Sequence, residues 1–223
     1  MGALSKQDRQ LIVEKLKQMR HPVKLIHFTQ ERDCELCPIT RELLQDVAQL
    51  SDNISLEIYN FESDKAKVAE YRIDKVPATV VQGTKDFGIR FYGLPAGYEF
   101  VTLLEDILQV SQGTSGLSLE SVKKLRRLTV PLHLEVFVTP TCPYCPGAAR
   151  LAHQLAMESD LITADMVEAT EYPDLVLRYE VQGVPKTIVN EAIGIEGSLP
   201  EADFVDQILE GAAVSNQHNV IAL

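Results

Sequence analysis

Thr139-Pro140-Thr141-Cys142-Pro143-Tyr144-Cys145-Pro146 and Glu31-Arg32-Asp33-Cys34-Glu35-Leu36-Cys37-Pro38 hold all four cysteines of the chain, two in each stretch. An offset of 108 carries Cys34 to Cys142, Cys37 to Cys145 and Pro38 to Pro146, and beyond them Leu43 to Leu151, Ser51-Asp52 to Ser159-Asp160, Tyr71 to Tyr179 and Val76-Pro77 to Val184-Pro185. In both halves the first cysteine precedes that proline by 43 residues. Agreement at one spacing over so many positions is an internal repeat, and a repeat fixes the architecture before any single element is assigned.

Each half carries the same order of patterns. A helix (6–20, 119–128) leads to an apolar strand (23–29, 132–138), and the cysteine pair opens a long helix (35–50, 143–158). A second strand (54–60, 163–169) and a helix (64–72, 173–180) follow. The Val-Pro then introduces two short strands (78–82 and 88–92; 186–190 and 192–196) and a closing helix (97–110, 201–211). A β-α-β unit followed by a hairpin and a helix predicts α/β architecture, with a central mixed sheet flanked by helices in each half. The small, polar, glycine-rich stretch Gln112-Gly-Thr-Ser-Gly-Leu-Ser118 suits a linker, so the domains are expected at 1–115 and 116–223.

Two C-x-x-C pairs leave no cysteine to staple distant parts of the chain. Closing so short a loop stabilises a fold by only about 2 kcal/mol, against nearly 5 for a loop of ~100 residues, so each pair makes a poor staple and a readily reversed bond. A cysteine placed just before a helix meets unpaired N–H groups and the positive end of the helix dipole, which favour its thiolate. Cys34 and Cys142 are therefore the expected nucleophiles, and Cys37 and Cys145 the resolving thiols. Pro143 is expected in the first helical turn, where its missing N–H costs nothing. Glu31, Asp33 and Glu35 crowd Cys34 whereas residues 139–146 are uncharged, so Cys142 is expected to be the more reactive. Val76-Pro77 and Val184-Pro185 are expected to be cis, turning the backbone of Val76 and Val184 toward the sulfurs as a substrate-binding edge.

Composition narrows the partners. A net charge of −11 opposes phosphate backbones, so nucleic acid is not expected. No apolar run approaches the ~20 residues of a membrane span, and charges run throughout residues 1–20 where a secretory signal would be apolar, which points to the cytoplasm and away from membranes. His21, His27, His133, His153 and His218 show no metal-ligand spacing and no pairing to a cysteine, and read as ordinary surface or strand residues.

Cys-Pro-Tyr-Cys at 142–145 is the glutaredoxin motif, and a CxxC with a distant Val-Pro resembles the thioredoxin superfamily. Over its full length, and above all in Lys85-Asp-Phe-Gly-Ile-Arg-Phe-Tyr-Gly-Leu-Pro-Ala-Gly-Tyr-Glu-Phe100 and Val138–Pro146, the chain is similar to the protein disulfide oxidoreductases of archaea and thermophilic bacteria. That resemblance implies two tandem thioredoxin-like domains. It also implies reduction, formation or isomerisation of protein disulfides, with no cofactor beyond the redox-active disulfides and with electrons from a separate thioredoxin-reductase-like flavoenzyme. The sequence departs from thioredoxin where that protein keeps a buried aspartate six residues before its first cysteine. Here those positions are Phe28 and Val136, so any proton-accepting role falls to another group, with Glu57 and Glu168 on the second strands as candidates that also read as surface carboxylates.

Two other readings are open at this point. Four thiolates can bind zinc, although a shared site would require the two halves to clasp together. A dedicated electron relay for one flavoenzyme resembles the tandem N-terminal region of flavoprotein alkyl hydroperoxide reductases, but in that family only the second repeat keeps its cysteines, and no G-x-G-x-x-G is present here.

Overall fold

The computed structural model describes residues 4–221, with side chains through 211. The first half runs α1 (Lys6–Leu16), β1 (Val23–Thr29), α2 (Cys37–Ala48), β2 (Ile54–Asn60), α3 (Lys65–Tyr71), β3 (Ala78–Gln82), β4 (Asp86–Tyr92) and α4 (Tyr98–Gln112). The second repeats it as α5 (Leu119–Leu125), β5 (Leu132–Val138), α6 (Cys145–Glu158), β6 (Ile162–Glu168), α7 (Pro173–Arg178), β7 (Lys186–Val189), β8 (Ile193–Glu196) and α8 (Glu201–Ile221). Ser5 and Ser118 start α1 and α5 alike, each side chain accepting the N–H three residues on.

The expected two sheets are one. Strand order is β2-β1-β3-β4-β6-β5-β7-β8, and the halves join where β4 pairs in parallel with β6, Ile89 opposite Ala164 through Tyr92 opposite Val167. The difference is visible in burial: β6 is covered nearly throughout, whereas its repeat partner β2, left at the sheet edge, buries only Ile54. Strands paired on both sides and covered on both faces lose alternation.

The two faces are unequal. One apolar core gathers side chains of α1, α2, α4, α5, α6 and α8 against the sheet, and a smaller one lies under the short helices α3 and α7. Helix α4 of the first half packs on α6 of the second, where His153 Nδ1 meets Asp106 Oδ2 at 2.6 Å with both side chains buried. The predicted linker is tied down at this seam. Gly113 ends α4 in the left-handed conformation, Ser115 Oγ donates to Glu158 Oε2 (2.6 Å), and the Gln109 side chain donates to the Ser115 carbonyl.

Candidate active site

Cys34–Cys37 and Cys142–Cys145 are both closed as disulfides, with Cα–Cα distances of 5.4 and 5.5 Å. Each lies where β1 or β5 runs into its helix. The helix begins at the second cysteine, later than the sequence pattern predicts, so Pro38 and Pro146 occupy the first turn and Pro143 lies ahead of it. The preceding residues Leu36 and Tyr144 are already helical in φ and ψ, which keeps the first cysteine on the approach to the helix N-terminus. Cys37 and Cys145 are fully buried, Cys142 is 9% exposed, and Cys34 is half-buried.

Val76-Pro77 and Val184-Pro185 are both cis. Cys142 Sγ lies 3.6 Å from the carbonyl oxygen of Val184. The proline carbonyls are already engaged, accepting N–H from Gly93 (2.9 Å) and Gly197 (2.8 Å). The residues before each Val-Pro differ. Lys75 is largely buried at the seam, 3.9 Å from Glu135 and over the Tyr92 ring, whereas Gly183 stands in open space.

The loops into the two sites also differ. Four residues separate Thr29 from Cys34 but three separate Val138 from Cys142, and the extra residue is taken up with Asp33 at φ +55°. Glu31, Asp33 and Glu35 are exposed around the first site, with Arg32 offsetting one of them. The second site is instead overlaid by the first half of the chain. Tyr98 N donates to Pro140 O (3.0 Å), two residues before Cys142, and Gly97 (φ +59°) sits so close that a Cβ there would collide with the same carbonyl.

Buried titratable groups complete the picture. Glu99, in the first turn of α4, is 1% exposed; only the Thr102 hydroxyl bears on its carboxyl as a hydrogen-bonding side chain, and burial pushes its pKa up to about 7. Glu168 is buried at the end of β6, accepting from Thr170 Oγ1 (2.6 Å) and Glu171 N (3.0 Å), with Oε1 unpartnered. Glu57 takes the surface-carboxylate reading: it pairs with Lys24 (2.6 Å) and accepts from the Tyr59 hydroxyl on an edge strand. The sequence pattern does not single out Glu99, because an acidic residue in a first turn is usually a solvated one.

His27 departs further from expectation. It pairs with Thr79 in the sheet while Val136 pairs with Thr187, so these two residues, not Phe28 and Val136, are equivalent. The shift is the longer loop before Cys34. His27 is fully buried, with Nδ1 3.0 Å from Ala78 O, and burial lowers its pKa to about 4. His133 and His153 are paired to aspartates, and the side chain of His218 lies outside the described residues.

A groove of about 790 Å³ opens beside the end of α3, over β4 and the starts of β5 and β6, but its buried charges answer one another, Arg90 to Asp86 (2.5 Å) and His133 to Asp165 (2.6 Å). Among the described residues no three His, Cys, Asp or Glu side chains are grouped to hold a metal ion, and no helix is long and apolar enough to cross a membrane.

The match to known proteins covers both halves. A protein disulfide oxidoreductase from Aeropyrum pernix is 32% identical and superposes with a TM-score of 0.90 over 96% of this chain and 95% of its own. The chain belongs to the protein disulfide oxidoreductase family. A thioredoxin domain model matches residues 132–210, the second half. The NTD_N/C domain of the alkyl hydroperoxide reductase AhpF from Enterococcus faecalis shares the fold at 24% identity (TM-score 0.85, 92% of this chain and 99% of that one). The corresponding reductase protein of Pseudomonas aeruginosa is 23% identical over 180 residues, 81% of this chain and 33% of that protein. The chain thus spans about a third of the length of these curated relatives. Its family and its two disulfides at strand-to-helix junctions make it a thioredoxin-fold thiol–disulfide oxidoreductase.

Proposed function

We propose that the chain reduces, forms or isomerises disulfides of protein substrates by dithiol exchange at both sites. In the reducing direction the Cys142 thiolate, favoured by the start of α6, attacks a substrate disulfide and releases one substrate thiolate. Cys145 then attacks Cys142 Sγ, the mixed disulfide breaks, and the second substrate thiolate leaves. Two electrons have moved to the substrate and Cys142–Cys145 is closed again. Cys34 and Cys37 repeat the sequence at the first site. A separate thioredoxin-reductase-like flavoenzyme reopens the disulfides, and the chain needs no cofactor of its own.

The observation that carries this reading is the place of Cys142 Sγ beside the Val184 carbonyl at the head of α6. An extended substrate segment that pairs with the backbone of Val184 brings its own sulfur to Cys142. Val76 and Pro77 offer the equivalent edge at the first site. Near the second site the buried carboxyls Glu99 and Glu168 are the candidates to take and return the Cys145 proton.

Likeness to the N-terminal part of the alkyl hydroperoxide reductase AhpF supports a second reading, a relay serving one flavoenzyme. Insulin reduction with dithiothreitol decides between them. Broad turnover, lost in Cys34→Ser/Cys37→Ser/Cys142→Ser/Cys145→Ser, is expected of the oxidoreductase, and silence toward insulin with turnover only through one flavoenzyme would establish the relay.

A further inference from the structure

The disulfide state leaves a specific vacancy at the first site. Ala78 O can only accept a hydrogen bond, so the His27 ring donates through Nδ1–H and its Nε2 holds a lone pair. Nε2 is buried without a partner. The backbone of Cys37 lies beside this ring, on the face of the sheet that α2 covers, and its hydrogen bond to the ring favours the protonated imidazole. The other groups bearing on it are Arg41 of α2, whose charge disfavours an imidazolium, and the buried Thr79 hydroxyl across the ladder, itself unpartnered. The second site has the matching hydroxyl, Thr187, but Val136 in place of the imidazole. A buried acceptor with nothing to accept is costly unless another state of the protein supplies a donor.

We propose that His27 is the proton-holding partner of Cys37, accepting the thiol proton that appears at this buried sulfur when the first disulfide is reduced. The proposal rests on dithiol exchange at Cys34/Cys37. In the resolving step the Cys37 Sγ–H proton passes to Nε2, and the thiolate attacks Cys34 Sγ in the mixed disulfide. The Cys34–Cys37 bond forms, the bond from Cys34 to the substrate breaks, and the electron pair leaves on the substrate sulfur. The imidazolium, disfavoured by its burial, then yields its proton through water to that thiolate.

The test uses the full chain with Cys142→Ser/Cys145→Ser, so that only the first site reacts. Cys34 is charged with thionitrobenzoate, and release of the coloured anion as Cys37 resolves the mixed disulfide is followed across pH, with and without His27→Val. The expected result is a shallow pH profile with His27, and with valine a rate lower by about tenfold to a hundredfold at neutral pH that climbs about tenfold per pH unit. A folded His27→Val variant with unchanged rate and profile would overturn the proposal. Should the variant fail to fold, the His27 ¹⁵N resonances of the unsubstituted chain decide: Nε2 is expected to shift when the first disulfide is reduced, and an unmoved resonance would overturn the role. Failure of the parent to release thionitrobenzoate at all would remove dithiol exchange from this site, and His27's part with it.

Discussion

The two cysteine pairs share a spacing, a helix start and a cis Val-Pro, yet their surroundings have little in common. The first pair is reached by a loop one residue longer, is ringed by exposed carboxylates, and has an imidazole in the adjoining strand. The second pair has uncharged flanks, is overlaid by Gly97 and Tyr98 of the other half, and has buried carboxyls at the seam. Duplication supplied one chemical device twice; joining the copies through β4 and β6 then brought Gly97 and Tyr98 of the first half against Pro140, in the turn before Cys142. What differs between the sites is therefore proton handling and access, while the sulfur geometry is common.

The largest expected effect comes from removing one pair at a time. Cys142→Ser/Cys145→Ser is expected to lower insulin turnover about tenfold or more, and Cys34→Ser/Cys37→Ser by a smaller factor, because negative charge around Cys34 disfavours its thiolate. Equal losses would erase the asymmetry. Gly97→Ala is next. It places a Cβ at positive φ against the Pro140 carbonyl, and is expected to cost about 3–4 kcal/mol in denaturant unfolding. The change should impair the second site and spare the first.

Glu99→Gln sharpens the comparison through pH. The folded pKa of about 7 lies above the ordinary 4.5, so the folded state holds the extra proton between those values. Stability attributable to Glu99 is then full below about pH 4.5 and is lost as pH rises through 7, by up to about 3 kcal/mol. Glutamine should remove that slope and leave the variant more stable than its parent at pH 8. Unfolding curves with the same pH slope in both proteins would contradict the burial of an ionisable Glu99. The smallest effect belongs to Lys75→Met, which unties the first Val-Pro from Glu135. About 1 kcal/mol of stability and at most about a twofold change in first-site turnover are expected, read in the Cys142→Ser/Cys145→Ser background.

Much of this was written in the chain. The offset of 108 marked the duplication, the apolar runs placed seven of the eight strands within one residue at either end, and the two Val-Pro pairs announced the cis bonds. The hairpin strand expected at 88–92 begins two residues earlier, at Asp86. What the pattern hid has physical causes. Nothing in β6 announces that it will pair on both sides, since Ile-Thr-Ala-Asp-Met-Val-Glu carries three polar residues, of which Asp165 and Glu168 are buried. The role of position 27 was obscured because counting back from Cys34 assumes a loop of fixed length, and one extra residue turns Phe28 to the opposite face. Glu99 was invisible because only the tertiary contact of α4 with the second half takes it out of water.

The separate reduction potentials of the two pairs, each measured in the variant lacking the other, test the central contrast most directly. Both pairs are expected to titrate as reversible two-electron couples. The second should lie higher by about 30 mV or more, a tenfold difference in equilibrium, because its reduced thiolate is not opposed by neighbouring carboxylates. Equal potentials, or a first pair more oxidising than the second, would contradict it.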